Sequence, residues 1–228
     1  MTTKQPQSEK VLKVLELFSG TASFSNVAKE RGHKVFTVDF DSQFKPDLCI
    51  DILDFDISML PEEFRHPDIV WASPPCTTFS VASIRHYWEN GKPKNEKTLL
   101  GIAIVKKTIE IIKQLNPKFY IIENPRGMLR KQDFMQELHR DTVTYCQYGA
   151  KIQKPTDLWN NLNHSFKIMC KPGSPCHEPA SRGARNGVQG INNSFSNLGS
   201  AGKVLRAVVP KELCLEIIKE IEEVTSND

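Results

Sequence analysis

Cys76 follows two prolines in the stretch Ser73-Pro74-Pro75-Cys76-Thr77-Thr78-Phe79-Ser80, directly after the apolar run Ile69 to Ala72. A thiol at the tip of a buried strand, held by a stiff Pro-Pro step, is positioned rather than merely packed. A nearby helix terminus would lower its pKa and raise its thiolate fraction. The bland alternative is a cysteine acting as a small buried hydrophobe. Glu123-Asn124-Pro125 closes the apolar run Phe119 to Ile122. A carboxyl group beside a nucleophilic thiol can protonate or hydrogen-bond a ring nitrogen, although alone such an acid more often caps a helix.

A second group of residues suits a bound small molecule. Leu17-Phe18-Ser19-Gly20-Thr21-Ala22-Ser23 is a turn of mostly small residues between a strand-like and a helix-like run. Such a turn lets a ligand approach the backbone, and the helix N-terminus offers free amide groups, although ligand-free turns of this kind are common. Asp39 lies about 20 residues downstream, at a strand end where an acid commonly accepts from ribose hydroxyls. Asp41 competes for that role, and either acid could be a plain turn residue. Asp51, after Cys49-Ile50, could accept from an adenine amino group with Ile52 against the ring, or simply cap a turn.

These residues need a scaffold. Val11 to Phe18, Lys34 to Phe40, Asp47 to Ile50, Ile69 to Ala72 and Phe119 to Ile122 read as strands. Ala22 to Arg31 carries helical spacing closed by Gly32, Glu96 to Leu115 has a long helical period, and Gln132 to His139 reads as a helix. Strands alternating with helices predict an α/β fold with a parallel sheet covered on both faces. Ligands gather at the carboxyl ends of such strands, where Gly20, Asp39, Asp51, Cys76 and Glu123 fall. Pro210 opens a last helix with Leu213, Ile217, Ile218 and Ile221 on one face.

Between these regular parts, residues 160–203 are rich in Asn, Gly, Ser and Pro and lack a period. They predict a small irregular insertion between a main domain over 10–159 and a segment over 204–228 that returns to it; residues 1–9 read as a loose tail. From Asn160 to Pro210 the cations are Lys167, Lys171, Arg182, Arg185, Lys203 and Arg206, against Glu178 alone. That imbalance suits a phosphate backbone, or a solvated basic loop. Overall the net charge is only +3, which does not by itself imply nucleic acid. No run is apolar enough for a membrane span or secretory signal, so an intracellular, cytoplasmic protein is expected. The six cysteines are scattered, which argues against a disulfide framework. Cys170, Cys176 and His177, with His164 nearby, are a zinc candidate of looser spacing than common structural sites; reduced, unliganded residues are the expectation.

Phe18-Ser19-Gly20, then Pro74-Pro75-Cys76, then Glu123-Asn124-Pro125, in this order and spacing, resembles the DNA cytosine-5 methyltransferases. With Tyr148-Gly149 and Gln153-Lys154-Pro155-Thr156, the compact form is most similar to small members carried by bacteriophages. The resemblance implies a Rossmann-like S-adenosylmethionine-dependent methyltransferase fold with a miniature target-recognition segment. It implies S-adenosylmethionine contacts at Phe18, Ser19, Gly20, Thr21, Asp39, Phe40, Asp51, Ile52, Pro75 and Leu99. Cys76 would be the nucleophile and Glu123 would hold the target ring. Double-stranded DNA would meet Ser80, Arg85, Gln153, Lys154, Arg182 and Arg185, with the protein acting as a monomer. The loop from Thr77 to Lys97 would close over an extruded base, or else be a plain surface loop. The family's Gln-x-Arg-x-Arg block begins at Gln153 but has Pro155 and Asp157 where the arginines stand; Lys151 or Lys154 could substitute. Arg206-Ala207 replaces Gly-Asn before the C-terminal Val-Pro. An RNA cytosine methyltransferase and a non-catalytic nucleic-acid-binding relative remain as alternatives.

Overall fold

In the computed structural model, residues 10–171, 173–177 and 207–226 are described. The strands are β1 (Lys13–Leu17), β2 (Lys34–Asp39), β3 (Leu48–Cys49), β4 (Ile69–Ala72), β5 (Trp88–Glu89), β6 (Lys92–Pro93), β7 (Phe119–Pro125), β8 (Arg140–Thr144) and β9 (Pro155–Asn160). The helices are α1 (Ser23–Glu30), α2 (Ile84–Tyr87), α3 (Glu96–Leu115) and α4 (Lys211–Ser226). Seven strands form one sheet in the order β3-β2-β1-β4-β7-β9-β8, and β5 pairs with β6 in a small separate hairpin.

Register explains why the chemical residues meet. Leu17 is opposite both Val38 and Ala72, and Ala72 is opposite Ile122. The four central parallel strands therefore end level. Phe18, Asp39, Ser73 and its successors, and Glu123 emerge along one edge. Alternation along β1 sends Leu12 and Val14 to one face and Leu15 and Leu17 to the other. The first face packs on α1 and α4 through Phe24, Leu213, Ile217 and Ile221, with the Phe24 ring stacked 4.6 Å from Trp71. The second packs on α3 through Val105, Ile111 and Leu115. Each such aliphatic side chain contributes roughly 1.5–3 kcal/mol relative to exposure.

The ends of α3 agree with the sequence reading. The Asn95 side chain accepts from Thr98 N at 3.1 Å, and Asn116, left-handed at φ 44°, stops the helix before Pro117. α1 has no side-chain cap of its own. Instead the buried Glu16 carboxylate, on β1 beneath it, accepts from Ser25 N at 2.8 Å. Burial pushes the Glu16 carboxyl up to about 7.

Two expectations need correction. The sheet is not wholly parallel: β9 runs antiparallel to both β7 and β8. Its sequence, PTDLWN, hides a strand because buried polar residues break the apolar pattern. Asp157 and Thr156 are fully buried, and Asp157 is neutralised by Arg130. Gln132 to His139 is not a helix. Two short turns of 3-10 helix, Leu129–Lys131 and Asp133–Met135, are separated by Gln132 in extended conformation. Their apolar residues Leu129, Met135 and Leu138 join the α3-side core without a continuous helix.

Candidate active site

The donor-side residues surround one cavity. Its walls are Phe18, Val38, Asp39, Phe40, Ile50, Asp51, Ile52, Pro75 and Ile104. The turn after β1 shapes its floor with alternate left-handed residues: Phe18 (φ 58°), Gly20 (φ 46°) and Ala22 (φ 53°). Two of these carry a Cβ, so the strain is held by the surroundings, a common mark of ligand sites. Asp39 does the holding: one carboxylate oxygen accepts from Gly20 N at 2.8 Å and the other from Asp41 N at 2.9 Å. A carboxylate has about four lone-pair sites, so acceptors remain for a ligand's hydroxyls. Asp51 accepts from Leu53 N at 2.9 Å. Phe40 is 68 % exposed although aromatic, a platform open to a planar ring. Ser19 and Thr21 belong to the turn; Thr21 Oγ1 lies 3.0 Å from Ser23 Oγ, which accepts from Val209 N at 3.2 Å. The C-terminal segment thus returns to this turn. Leu99 is exposed on α3 and not part of the cavity wall; α3 contributes Ile104 instead.

Across Pro75 lies the thiol. Cys76 is partly exposed and opens a turn, with Phe79 N and Ser80 N both donating to Cys76 O. No helix begins there, so the expected helix-terminus effect on the thiol is absent. Burial instead raises the Cys76 pKa, nearby Lys154 opposes that rise, and Glu123 adds to it. Lys154 Nζ sits 3.9 Å from Glu123 Oε1 and 4.5 Å from the Tyr145 ring centre. Tyr145 donates its hydroxyl to the same Glu123 oxygen at 2.7 Å. Thiol, acid and ammonium therefore converge beside the cavity, with Glu123 oriented by a buried phenol.

The loops carrying the thiol and the acid are clipped together. Asn124 Nδ2 donates to Pro74 O at 2.8 Å, and Met128 N donates to Phe79 O at 2.7 Å. Gly127 permits this, because a Cβ there would collide with Phe79 O. The segment beyond Cys76 is folded rather than loose. Trp88 Nε1 donates to Thr78 O at 2.6 Å, and Asn95 Nδ2 donates to His86 O at 3.1 Å.

The comparisons with known proteins can be set beside this geometry. The profile of the family described as C-5 cytosine-specific DNA methylase matches residues 12–148. A Frog virus 3 (isolate Goorha) protein named "Probable DNA (cytosine-5)-methyltransferase" is 32% identical over 174 residues, 72% of this chain and 78% of its own length. The chain belongs to the C-5 cytosine-specific DNA methylase family. Two solved structures are also similar. One is a prophage-encoded E. coli protein described as a putative DNA modification methyltransferase, with TM-score 0.44 and 19% identity, covering 65% of this chain and 46% of that one. The other is a mutant of Spodoptera frugiperda DNMT2, with TM-score 0.43 and 20% identity, covering 68% and 52%. The chain spans about half the length of these two. Its Rossmann-like methyltransferase fold is evident in its own strand order, with β9 as the single reversed strand between β7 and β8.

Within this C-5 methylase the departures acquire a physical meaning. Lys154, expected among the nucleic-acid contacts, is turned inward to Glu123 and Cys76. Asp157 holds Arg130 in a two-pronged ion pair, with Thr142 bridging them. Sequence reading missed Tyr145 and Arg130; only the antiparallel pairing of β8 and β9 brings them in. Gln153 Nε2 donates to Cys170 O at 3.3 Å and to Cys170 Sγ at 3.2 Å, tying the wall to the irregular segment. Ser80 is half-buried beside Ser83 and Arg85 is exposed on α2. Arg182 and Arg185 lie outside the described residues.

The cysteine expectation also changes. His164 pairs with Glu216 at 3.1 Å and Glu220 at 3.0 Å on α4 and is not part of the thiol cluster. Cys170, Cys176 and His177 instead meet Cys146, from the turn after β8. Among the described residues no helix is long and apolar enough to cross a membrane.

Proposed function

We propose that this chain transfers a methyl group from S-adenosylmethionine to carbon 5 of cytosine in double-stranded DNA, at a short recognition site, through a covalent Cys76 adduct. The observation that carries the reading is the convergence of the Cys76 thiol with Glu123, Lys154 and Tyr145 next to the Phe18–Pro75 cavity. The cavity fits the donor. Phe40, Ile52 and Pro75 offer apolar surface for adenine, Asp39 offers acceptors for ribose hydroxyls, and Asp51 can accept from the adenine amine. When bound, the donor supplies an electrophilic methyl group on a sulfonium.

Cytosine carbon 5 is a poor nucleophile. Addition of the Cys76 thiolate to carbon 6 makes carbon 5 carbanion-like. Glu123, held by Tyr145, accepts a hydrogen bond from the exocyclic amine and, carrying a proton, donates it towards ring N3, so charge entering the ring is stabilised there. Lys154 favours the thiolate and balances the charge of Glu123. After carbon 5 takes the methyl group, loss of its proton and of the Cys76 bond releases the product. A stacked base cannot present its face to a thiol, so the target is flipped out at a cost of about a few kcal/mol. The segment from Thr77 to Lys97 borders the space it would enter, with Ser80 and Arg85 available to the displaced strand and backbone.

Duplex DNA containing 5-fluorocytosine, incubated with protein and donor, tests this directly. A denaturation-resistant adduct is expected, abolished by Cys76→Ser. Sequencing methylated cytosines after expression in a methylation-free host then gives the site. No adduct on duplex DNA, with an adduct on structured RNA run alongside, would reassign the substrate.

A further inference from the structure

Outside the catalytic pocket, three thiols and an imidazole converge on one point. Cys146 Sγ lies 3.1 Å from Cys170 Sγ and 3.7 Å from Cys176 Sγ. His177 Nδ1 lies 3.4 Å from Cys176 Sγ and 3.7 Å from Cys170 Sγ, and all four donor atoms fall within 4.8 Å of one another. Around a tetrahedral zinc ion with its usual bond lengths, sulfurs sit about 3.8 Å apart, and sulfur and nitrogen about 3.5 Å apart. The 3.4 and 3.7 Å edges match those spacings, and the 3.1 Å edge must open by about 0.7 Å.

The surroundings suit thiolate ligands. Gln153 Nε2 points at Cys170 Sγ at 3.2 Å and Gln147 Nε2 at Cys176 Sγ at 3.3 Å. Amide donors aimed at ligating sulfurs stabilise their negative charge and fix their orientation. Cys146 and His177 are buried, so two ligands are held by packing before any ion arrives. Soft sulfur donors in a closed set of four point to a structural zinc rather than a catalytic one.

We propose that Cys146, Cys170, Cys176 and His177 bind one structural zinc ion, which fastens the irregular segment after β9 to the wall of the catalytic pocket. The three cysteines bind as thiolates, releasing their protons, and His177 binds as neutral imidazole through Nδ1. The placement gives the ion its purpose. Cys146 follows Tyr145, the residue that orients Glu123, while His177 immediately precedes the basic stretch containing Arg182 and Arg185. Along the way Lys167 N donates to the Tyr148 hydroxyl at 3.1 Å, and His164 is paired with α4. Among the described residues, the zinc is the last tie before that stretch.

Elemental analysis of the full chain, purified under reducing conditions with zinc supplied during expression, is expected to find about one zinc per chain. Cys170→Ser and His177→Ala should lose at least about four-fifths of it, while Cys49→Ser, outside the cluster, keeps it. Cobalt(II) reconstitution should give the strong visible absorption and thiolate charge-transfer band of a tetrahedral sulfur-rich site. His177→Cys should retain metal with an altered cobalt spectrum, which separates ligation from a folding defect. Cys76→Ser should keep its zinc while losing methyl transfer, so the metal site and the proposed reaction fail separately. A folded chain without metal after reconstitution overturns the proposal. So does a Cys170→Ser variant that keeps its metal, or an intact mass showing a Cys146–Cys170 disulfide in the freshly isolated protein.

Discussion

The two halves of the pocket are built differently. The donor half is built from the turns after β1, β2 and β3 and closed by Pro75 and Ile104, and its polar groups are satisfied by amides of adjoining strand-end turns, as when Asp39 binds the amides of Gly20 and Asp41. The thiol half depends on partners far apart in the chain. Glu123 on β7 is gripped by Tyr145 and Lys154, which flank a turn between two strands, and Asp157 on β9 draws in Arg130. Local construction tolerates sequence drift around a few fixed residues. Long-range construction makes each member depend on the pairing of three strands, so damage there should spread further.

The sharpest test of that contrast is Glu123→Gln. It keeps the shape but removes the charge, and a loss of about 10³ in single-turnover rate is expected, with donor affinity changed less than about three-fold. A comparable loss of donor binding would mean that the two halves are not separable. Next is Lys154→Met. Burial raises the Cys76 pKa and Lys154 opposes it. Removing the cation should raise that pKa further, shift the rising limb of the pH–rate profile to higher pH, and slow the reaction about ten-fold at neutral pH. An unshifted profile would show that the ammonium does not act on the thiol. On the donor side, Asp39→Ala should weaken donor binding about ten-fold by calorimetry, because it removes both the ribose acceptor and the brace of the Gly20 turn. Its effect on adduct formation with excess donor should be small.

The smallest expected effect lies beneath both halves. The folded-state pKa of Glu16 is raised from 4.5 to about 7 by burial. Its contribution is therefore fully present below pH 4.5 and is lost as pH rises through about 7. Glu16→Gln keeps an acceptor for Ser25 N without the charge. It should stabilise the protein by about 1–2 kcal/mol at about pH 8, with little change near pH 4.5, in denaturant titrations at both pH values. A gain that does not depend on pH would remove buried charge as its cause.

Much of this molecule was legible in its residues alone. The parallel strands, the span of α3, and several of the cavity residues follow from apolar runs, a long helical period, and special residues placed at strand tips. Cys76 stood out as a thiol fixed by two prolines at a strand tip, whereas Glu123 gained its meaning only from the resemblance that pairs it with Cys76. Leu99, implied as a donor contact by the resemblance, is exposed on α3, and the residue of that helix lining the cavity is Ile104. The expected helix over Gln132 to His139 failed because apolar spacing alone cannot tell a helix from two short turns packed on the same core.

Sequence patterns report on short range: hydrophobic period, turn residues, and the order in which chemical groups arrive. From these came an α/β sheet with a thiol and an acid at its strand ends. The inward turn of Lys154, the grip of Tyr145, the Arg130–Asp157 pair and the meeting of Cys146 with Cys170, Cys176 and His177 needed the folded chain. Each joins residues that no local period relates. They are brought together by the antiparallel seating of β9 between β7 and β8, whose buried polar residues carry no hydrophobic signature of their own.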